Sequence, residues 1–326
     1  MNFLKNKFKP KSDRRHNPIN GHDAEVLAKA KFIIAMSGEV NSTSRELDSD
    51  KLDFIMNYNH PWKNEQLILF SQVKSGDSYG KEIANDNCII VKSLFQELQK
   101  TTKNICLIWV NRETNNLFWA YIHTKTIIDH NRYGNHHKIT PATRFDLARC
   151  FEKLNSVNFE YKGGKGITIR KLTKTFIENR EFAKNEYKIL KKSLIVNPLL
   201  GQINCSRLAW KHITRKNRRT EFKTTSFDTI SYLYDILTKA PNNIAVLDCK
   251  YKTLKKNTLR TTEYILKYED IILSFKEVTV PKKTRITVVV RVIENIIYPQ
   301  EWYNDSQLSQ KVKRSITLKS FYYKNN

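Results

Sequence analysis

The sequence predicts an α/β N-terminal domain with a mixed central sheet, followed by an α+β C-terminal domain with an antiparallel sheet. Three observations predict it. Helix-period and strand-period segments alternate through the first half, strand-like segments dominate the C-terminal end, and the charge divides the same way. Residues 21–160 hold 17 Lys and Arg against 17 Asp and Glu, whereas residues 161–326 hold 34 against 14, a net +20 of the chain's +25. Self-repulsion of that size is relieved by a polyanion, which makes nucleic acid the expected partner.

Residues 1–20 carry a net +5 and are interrupted by Pro10 and Pro18, which reads as a basic disordered arm. From residue 22, Val26, Leu27, Ala30, Ile33 and Ile34 repeat with helical period up to Gly38, a stop signal, with Glu25 in the first turn. A polar, acid-rich loop (42–50) leads to a strand at 54–58, a break at Asn59-His60-Pro61 and a second strand at 67–74. A hairpin folded about residues 61–63 places Asp53 roughly opposite Gln72, and Lys74 on the same side as Gln72. Beyond a loop at 77–80, Ile90, Val91, Leu94, Phe95 and Leu98 predict a helix over 89–100. Two apolar strands follow at 104–110 and 117–122. Thr140 as N-cap and Pro141 at the first helical position then open a helix through Leu147 and Phe151. These elements make a sandwich around a sheet of about four strands, a domain spanning 21–160.

Near Gly163-Gly164-Lys165 the composition turns basic. Residues 161–195 read as a linker with a helical connector, and 196–326 as a basic α+β domain that binds nucleic acid. Within it lie a cationic segment at 207–219, a helix at 227–237 and strands at 271–280, 285–297 and 316–323, the middle one an alternating run expected at the sheet centre. The five cysteines are scattered, without a Cys-x-x-Cys, which argues against a disulfide framework or a zinc site and for reduced, mostly buried thiols. No apolar run is long enough to span a bilayer and no signal peptide is legible, so the expected protein is cytoplasmic, with no membrane partner.

Carboxylate and amide oxygens suit Mg²⁺, with Mn²⁺ as a substitute, and a nearby ammonium stabilises charge developing in phosphodiester cleavage. Asp53, Gln72 and the Val73 carbonyl are candidate metal ligands, and Lys74 is the candidate cation. The tripeptide alone is common. Glu160-Tyr161-Lys162, Glu186-Tyr187-Lys188, Glu221-Phe222-Lys223 and Asp248-Cys249-Lys250 share its pattern, but only Gln72-Val73-Lys74 pairs with an upstream strand carboxylate.

Glu25 on a first helix, Asp53 before a strand, and Gln72-Val73-Lys74-Ser75-Gly76 closing the next strand resemble the PD-(D/E)XK nuclease superfamily. The likeness is to its Mrr-like and uncharacterised bacterial branch with a Gln-x-Lys end, and covers about residues 21–155. It implies a restriction-endonuclease-like fold and a Mg²⁺-dependent endonuclease, DNA favoured over RNA, of the kind used in restriction or anti-phage defence. It also implies metal binding by Asp53 and Gln72, catalysis by Lys74 and a metal-water role for Glu25. Gln72 stands where an acid is commoner, which removes one negative ligand.

In the C-terminal half, Lys211, His212, Arg215, Arg218 and Arg219 are candidate nucleic-acid contacts. The segment from Leu208 to Arg215 is weakly similar to ribonucleases of the barnase, colicin and RelE-like kind. That similarity implies a metal-independent, toxin-like RNase centred on His212 as the alternative activity. A non-catalytic nucleic-acid-binding subunit is the third reading. A second copy of the chain or a defence-system protein is the protein partner left open.

Overall fold

The computed structural model describes residues 16–42, 52–84, 87–98, 104–123, 131–155, 162–275 and 283–325. The chain forms two compact units, Met1–His60 with Glu65–Arg144, and Pro61–Asn64 with Phe145–Asn326.

The first unit opens with α1 (His16–Met36). Residues 16–20 are therefore helical rather than part of a disordered arm, since Pro18 in a first turn gives up an N–H that has no intrahelical acceptor anyway. The rest of the expected arm, 1–15, lies outside the described residues. Strands β1 (Glu39–Ser42), β2 (Phe54–Asn59) and β3 (Gln66–Ser75) follow. Next come β4 (Gly80–Ile83), β5 (Asn87–Ile90), α2 (Lys92–Leu98), β6 (Ile105–Val110), β7 (Leu117–Ile122) and β8 (Arg132–Tyr133).

The main sheet runs β1-β2-β3-β6-β7, with β3 parallel to β6 and the other neighbours antiparallel. It is mixed, as expected, but has five strands rather than four because the short polar β1 carries no apolar signal. Every residue of β6 is buried, which is why it reads as a continuous apolar run. One of its faces joins a cluster with Leu94, Phe95 and Leu98 of α2 and Phe118 and Ala120 of β7. On α1, Phe32 meets Phe54 of β2 edge to face. A second small sheet, β4-β5-β8, has no counterpart in the sequence-based expectation. It takes up residues 87–90 as a strand, which shortens the predicted helix to α2. The last helix, α3 (Thr143–Asn155), begins after Thr140 and Pro141 rather than at them. Thr140 Oγ1 instead accepts from the N–H of Ala142 in a local turn.

In the second unit the elements are β9 (Thr168–Arg170), α4 (Phe176–Leu190), β10 (Ile195–Asn197), β11 (Gly201–Ile203), α5 (Arg207–Thr214), α6 (Thr220–Thr229) and α7 (Leu233–Leu237). Strands β12 (Asn243–Leu254), β13 (Asn257–Ser274) and β14 (Lys283–Pro299), helix α8 (Leu308–Lys311) and strand β15 (Lys313–Asn325) complete it. The sheet β12-β13-β14-β15 is antiparallel throughout, with β9 added parallel to β13. The expected alternating strand is interior, as β14.

The strand predicted at 271–280 is instead the end of β13, and 276–280 lie outside the described residues. The earlier part of β13 does not read as an apolar strand because Arg260 and Thr262 occupy its buried face alongside Tyr264, Leu266 and Tyr268. Residues 161–195 are not a linker. Thr175 and Glu178 close a capping box on α4, and Ala183, Tyr187 and Leu190 lie in the unit's own core. The predicted helix at 227–237 is split between α6 and α7 by a 3₁₀ turn.

The division at residue 144 precedes the predicted boundary at 160. Asp146 and Arg149 of α3 are buried in an ion network with Arg260 of β13 and Glu294 of β14. No described cysteine is in a disulfide, and burial pushes the Cys88 and Cys205 thiols up to about 12. Among the described residues no helix is long and apolar enough to cross a membrane.

Candidate active site

The β2–β3 hairpin has the register its sequence predicts. The ladder ends with Phe54 paired to Ser71, and Asp53, one residue beyond it, bonds to the two residues that flank Gln72. The backbone N–H of Asp53 donates to the Ser71 carbonyl at 3.0 Å, and its side-chain Oδ2 accepts from the Val73 N–H at 2.5 Å. Val73 thus enters the site through its amide, alongside the carbonyl proposed from sequence. Burial raises the Asp53 carboxyl above its ordinary value, and the nearby Glu25 adds to the rise. The Val73 N–H, Lys74 and Lys29 oppose it.

Gln72 is 1 % exposed, and its amide oxygen is buried with no hydrogen-bond partner among the described residues. Leaving such an acceptor unsatisfied costs about 1–3 kcal/mol. An amide oxygen and a carboxylate are hard oxygen donors of the type that Mg²⁺ takes, and a cation is one partner that would satisfy the Gln72 oxygen. Lys74, two residues along the same strand, lies with its ammonium 5.7 Å from the centre of the Tyr79 ring. Glu25 on α1 pairs with Lys29 at 2.5 Å within electrostatic reach of Asp53. Asp53 thus bonds to both neighbours of Gln72 and lies within electrostatic reach of Lys74 and Glu25, residues spread over 50 positions of the sequence.

A concavity of about 360 Å³ opens on this corner, lined among others by Lys74, Gly76, Asp77, Tyr79 and Arg112. Its lining includes Val73 and Lys74 but not Asp53 or Gln72. No motif or spacing in the sequence points to Arg112. It follows β6, and only the parallel pairing of β6 with β3 brings it beside Ser75.

The competing triplets have other uses. Asp248 and Lys250 form an exposed pair with each other at 2.7 Å on β12, while Glu186 and Glu221 sit on helices. Residues 160 and 161 lie outside the described residues.

In the second unit Ser206 caps α5 by accepting from the Leu208 N–H, and Lys211, Arg215 and Arg219 are exposed. Arg218 turns inward, donating to Ser226 Oγ and the Phe321 carbonyl. Burial, then the neighbouring Arg215, lowers its pKa to about 10. His212 is lowered below its ordinary value by burial and by Arg215, Arg218, Lys319 and Arg291. Burial and the surrounding cations both favour its neutral form. Trp210 stacks on Phe227 beside the core, so it serves packing. Compared with family models, curated proteins and solved structures, the chain matches none.

Proposed function

We propose that this chain is a Mg²⁺-dependent nuclease of the PD-(D/E)XK kind that cuts at the Asp53–Gln72–Lys74 corner and holds nucleic acid largely through its second unit. The observation that carries the reading is the buried Gln72 amide oxygen, without a hydrogen-bond partner among the described residues, on a strand whose neighbouring residues Ser71 and Val73 both bond to the half-buried Asp53. Support also comes from the surrounding order of elements, a helix, an antiparallel hairpin and a strand parallel to its second arm.

In this reading Asp53 and Gln72 hold the ion, which when bound polarises a phosphoryl oxygen and lowers the pKa of a water. The Val73 N–H holds Asp53 in orientation through the 2.5 Å bond. Lys74 supplies a positive charge that strengthens against the pentavalent phosphorus as negative charge builds on its oxygens. Glu25, positioned by Lys29, stands at the edge to orient water.

The test is cleavage of plasmid DNA and of tRNA by the full chain with Mg²⁺, with Mn²⁺ and with EDTA. Metal-dependent cutting that EDTA abolishes is the expected result. Cutting that persists in EDTA and is lost in His212→Ala would move the activity to the second unit, and no cutting of either substrate would leave a binding subunit.

The surplus of 20 positive charges after residue 160 supports the division of labour. Replacing Lys211, Arg215 and Arg219 together by alanine is expected to weaken DNA binding and lower the log–log salt slope by about 2–3, close to one for each phosphate that no longer has its cation. An unchanged slope would mean that other cations grip the phosphates.

A further inference from the structure

Arg112 stands in the turn between β6 and β7, and that turn is braced from below. The Glu82 carboxylate accepts from Asn111 Nδ2 at 2.7 Å, Thr114 Oγ1 at 2.9 Å and Asn116 Nδ2 at 2.8 Å. The guanidinium is pinned in turn, with Nε and Nη2 both donating to Ser75 Oγ at 3.0 and 2.8 Å. The guanidinium lies against Gly76, whose φ of +84° is one that glycine tolerates best; a Cβ built there would meet the Arg112 Cζ and Nε at 3.4 Å, ordinary contact, so the backbone conformation and not the space calls for glycine. The Gly76 carbonyl is fixed by the Trp109 indole N–H at 3.0 Å and the Tyr79 N–H at 3.2 Å.

The outcome is an exposed arginine held at Ser75, whose Nη1 makes no hydrogen bond among the described residues, on the wall of the cavity that Lys74 also lines. The backbone N–H groups of Asp77 and Ser78, on the same wall, likewise have no acceptor among the described residues. Among the lining residues two are cationic, Lys74 and Arg112, and one, Asp77, is acidic. The volume of about 360 Å³ falls at the lower end of the roughly 300–1,000 Å³ typical of ligand sites.

We propose that this cavity is a phosphate subsite in which the braced guanidinium of Arg112 receives a phosphoryl group of the nucleic acid next to the one presented to Lys74. The proposal rests on the nuclease reading and deepens it. The first unit, which carries no net charge from residue 21 on, then contributes a point of grip of its own, one that sets the strand's register at Lys74. A planar fork already immobilised by Ser75 loses little freedom when it accepts a phosphate, so the site is pre-organised.

The experiment measures binding, not cutting, so that an inactive metal site leaves it intact. Full-length wild type, Arg112→Ala, Arg112→Lys and Arg112→Gln are titrated against a fluorescent 20-nucleotide DNA (a length of about two helical turns) in EDTA over a range of KCl concentrations. In parallel, crystals of wild type and Arg112→Ala are soaked with sodium tungstate as a phosphate mimic. The expected results are about a tenfold loss of affinity and a salt slope lower by about one for Arg112→Ala. The slope should be retained in Arg112→Lys with part of the affinity lost. Tungstate should bind within hydrogen-bonding distance of Arg112 in wild type and be missing from the alanine variant.

If the alanine variant melts early, Arg112→Gln, which retains a donor for Ser75, decides by the same slope. Tungstate at Arg112 with an unchanged slope would assign the site to free phosphate and overturn the grip on the nucleic-acid backbone. Neither a slope change nor bound tungstate would overturn the subsite altogether.

Discussion

Lys74→Ala is expected to lower the rate of Mg²⁺-dependent cleavage by about two to three orders of magnitude while leaving DNA affinity within about threefold of wild type. The asymmetry follows from where the charge acts. An ammonium beside the reacting phosphate meets a single negative charge in the ground state and a larger one in the transition state, so its removal falls on the rate. Affinity depends instead on the many cations of the second unit and changes little. Single-turnover cleavage with saturating enzyme, read beside equilibrium binding in EDTA, separates the two. A variant that loses both in proportion would make Lys74 a binding residue only.

The same assay run against pH carries a second signature. Burial holds the Asp53 carboxyl above the ordinary carboxylate value, and the ion needs the deprotonated form. Cleavage should therefore fall on acidification at a pH clearly above about 3.9, the value of an exposed aspartate. Added Mg²⁺ should move that fall to lower pH, because the cation competes with the proton.

Glu294→Ala is expected to destabilise the second unit by about 3–5 kcal/mol, the cost of stripping one partner from a buried ion network. For a unit of this size that corresponds to a fall in melting temperature of about 6–20 °C. Glu294 is fully buried on β14. It accepts from Arg149 Nη2 at 2.9 Å, from Arg314 Nε at 2.8 Å and from the Tyr264 hydroxyl at 3.0 Å, with Arg314 Nη2 also in ion-pair contact at 2.8 Å. Asp146 accepts from Arg149 and, in a two-pronged pair, from Arg260 at 2.5 and 2.7 Å. Without Glu294, the buried Arg149 and Arg260 would be left to Asp146, and Arg314 would lose its carboxylate and keep the Leu200 carbonyl.

Burial alone would push the Glu294 carboxyl up, yet Arg149, Arg314 and Arg260 hold it below its ordinary value. Its contribution is therefore present at neutral pH and lost as pH falls through that depressed value, which makes the unit acid-sensitive. Calorimetry of the full chain checks both statements. As a contrast, Asp248→Ala breaks only the exposed pair with Lys250 and should leave the melting transition where it is. Equal shifts in the two variants would mean that the network adds no more than a surface pair.

What could be read without coordinates was local. Alternation along 54–58 and 67–74 and the break at Asn59-His60-Pro61 lie within one hairpin, whose register follows from turn and pattern together; so Asp53 comes beside Ser71 and Val73, the neighbours of Gln72. The run at 105–110 announced itself because a strand covered on both faces needs no polar residues. The short helix α2 shows the limit. Residues 87–90 carry an apolar pattern that suits strand and helix alike, and pairing with β4 and β8 decided for strand.

The sequence by itself determined the mixed sheet, the hairpin that brings a carboxylate up to the residues flanking an amide, and the concentration of positive charge in the second half. Each depends on residues close along the chain or on a sum over many. Only the tertiary structure decided that α4 belongs to a core rather than to a linker, that Asp146 and Arg149 are buried with Arg260 and Glu294, and that Arg112 lies on Ser75 and Gly76. Those neighbours are brought together by strand order and by parallel pairing across a crossover. Pairing of that kind leaves no periodic trace at the residues it joins, so neither Arg112 nor the buried network could be read from spacing alone.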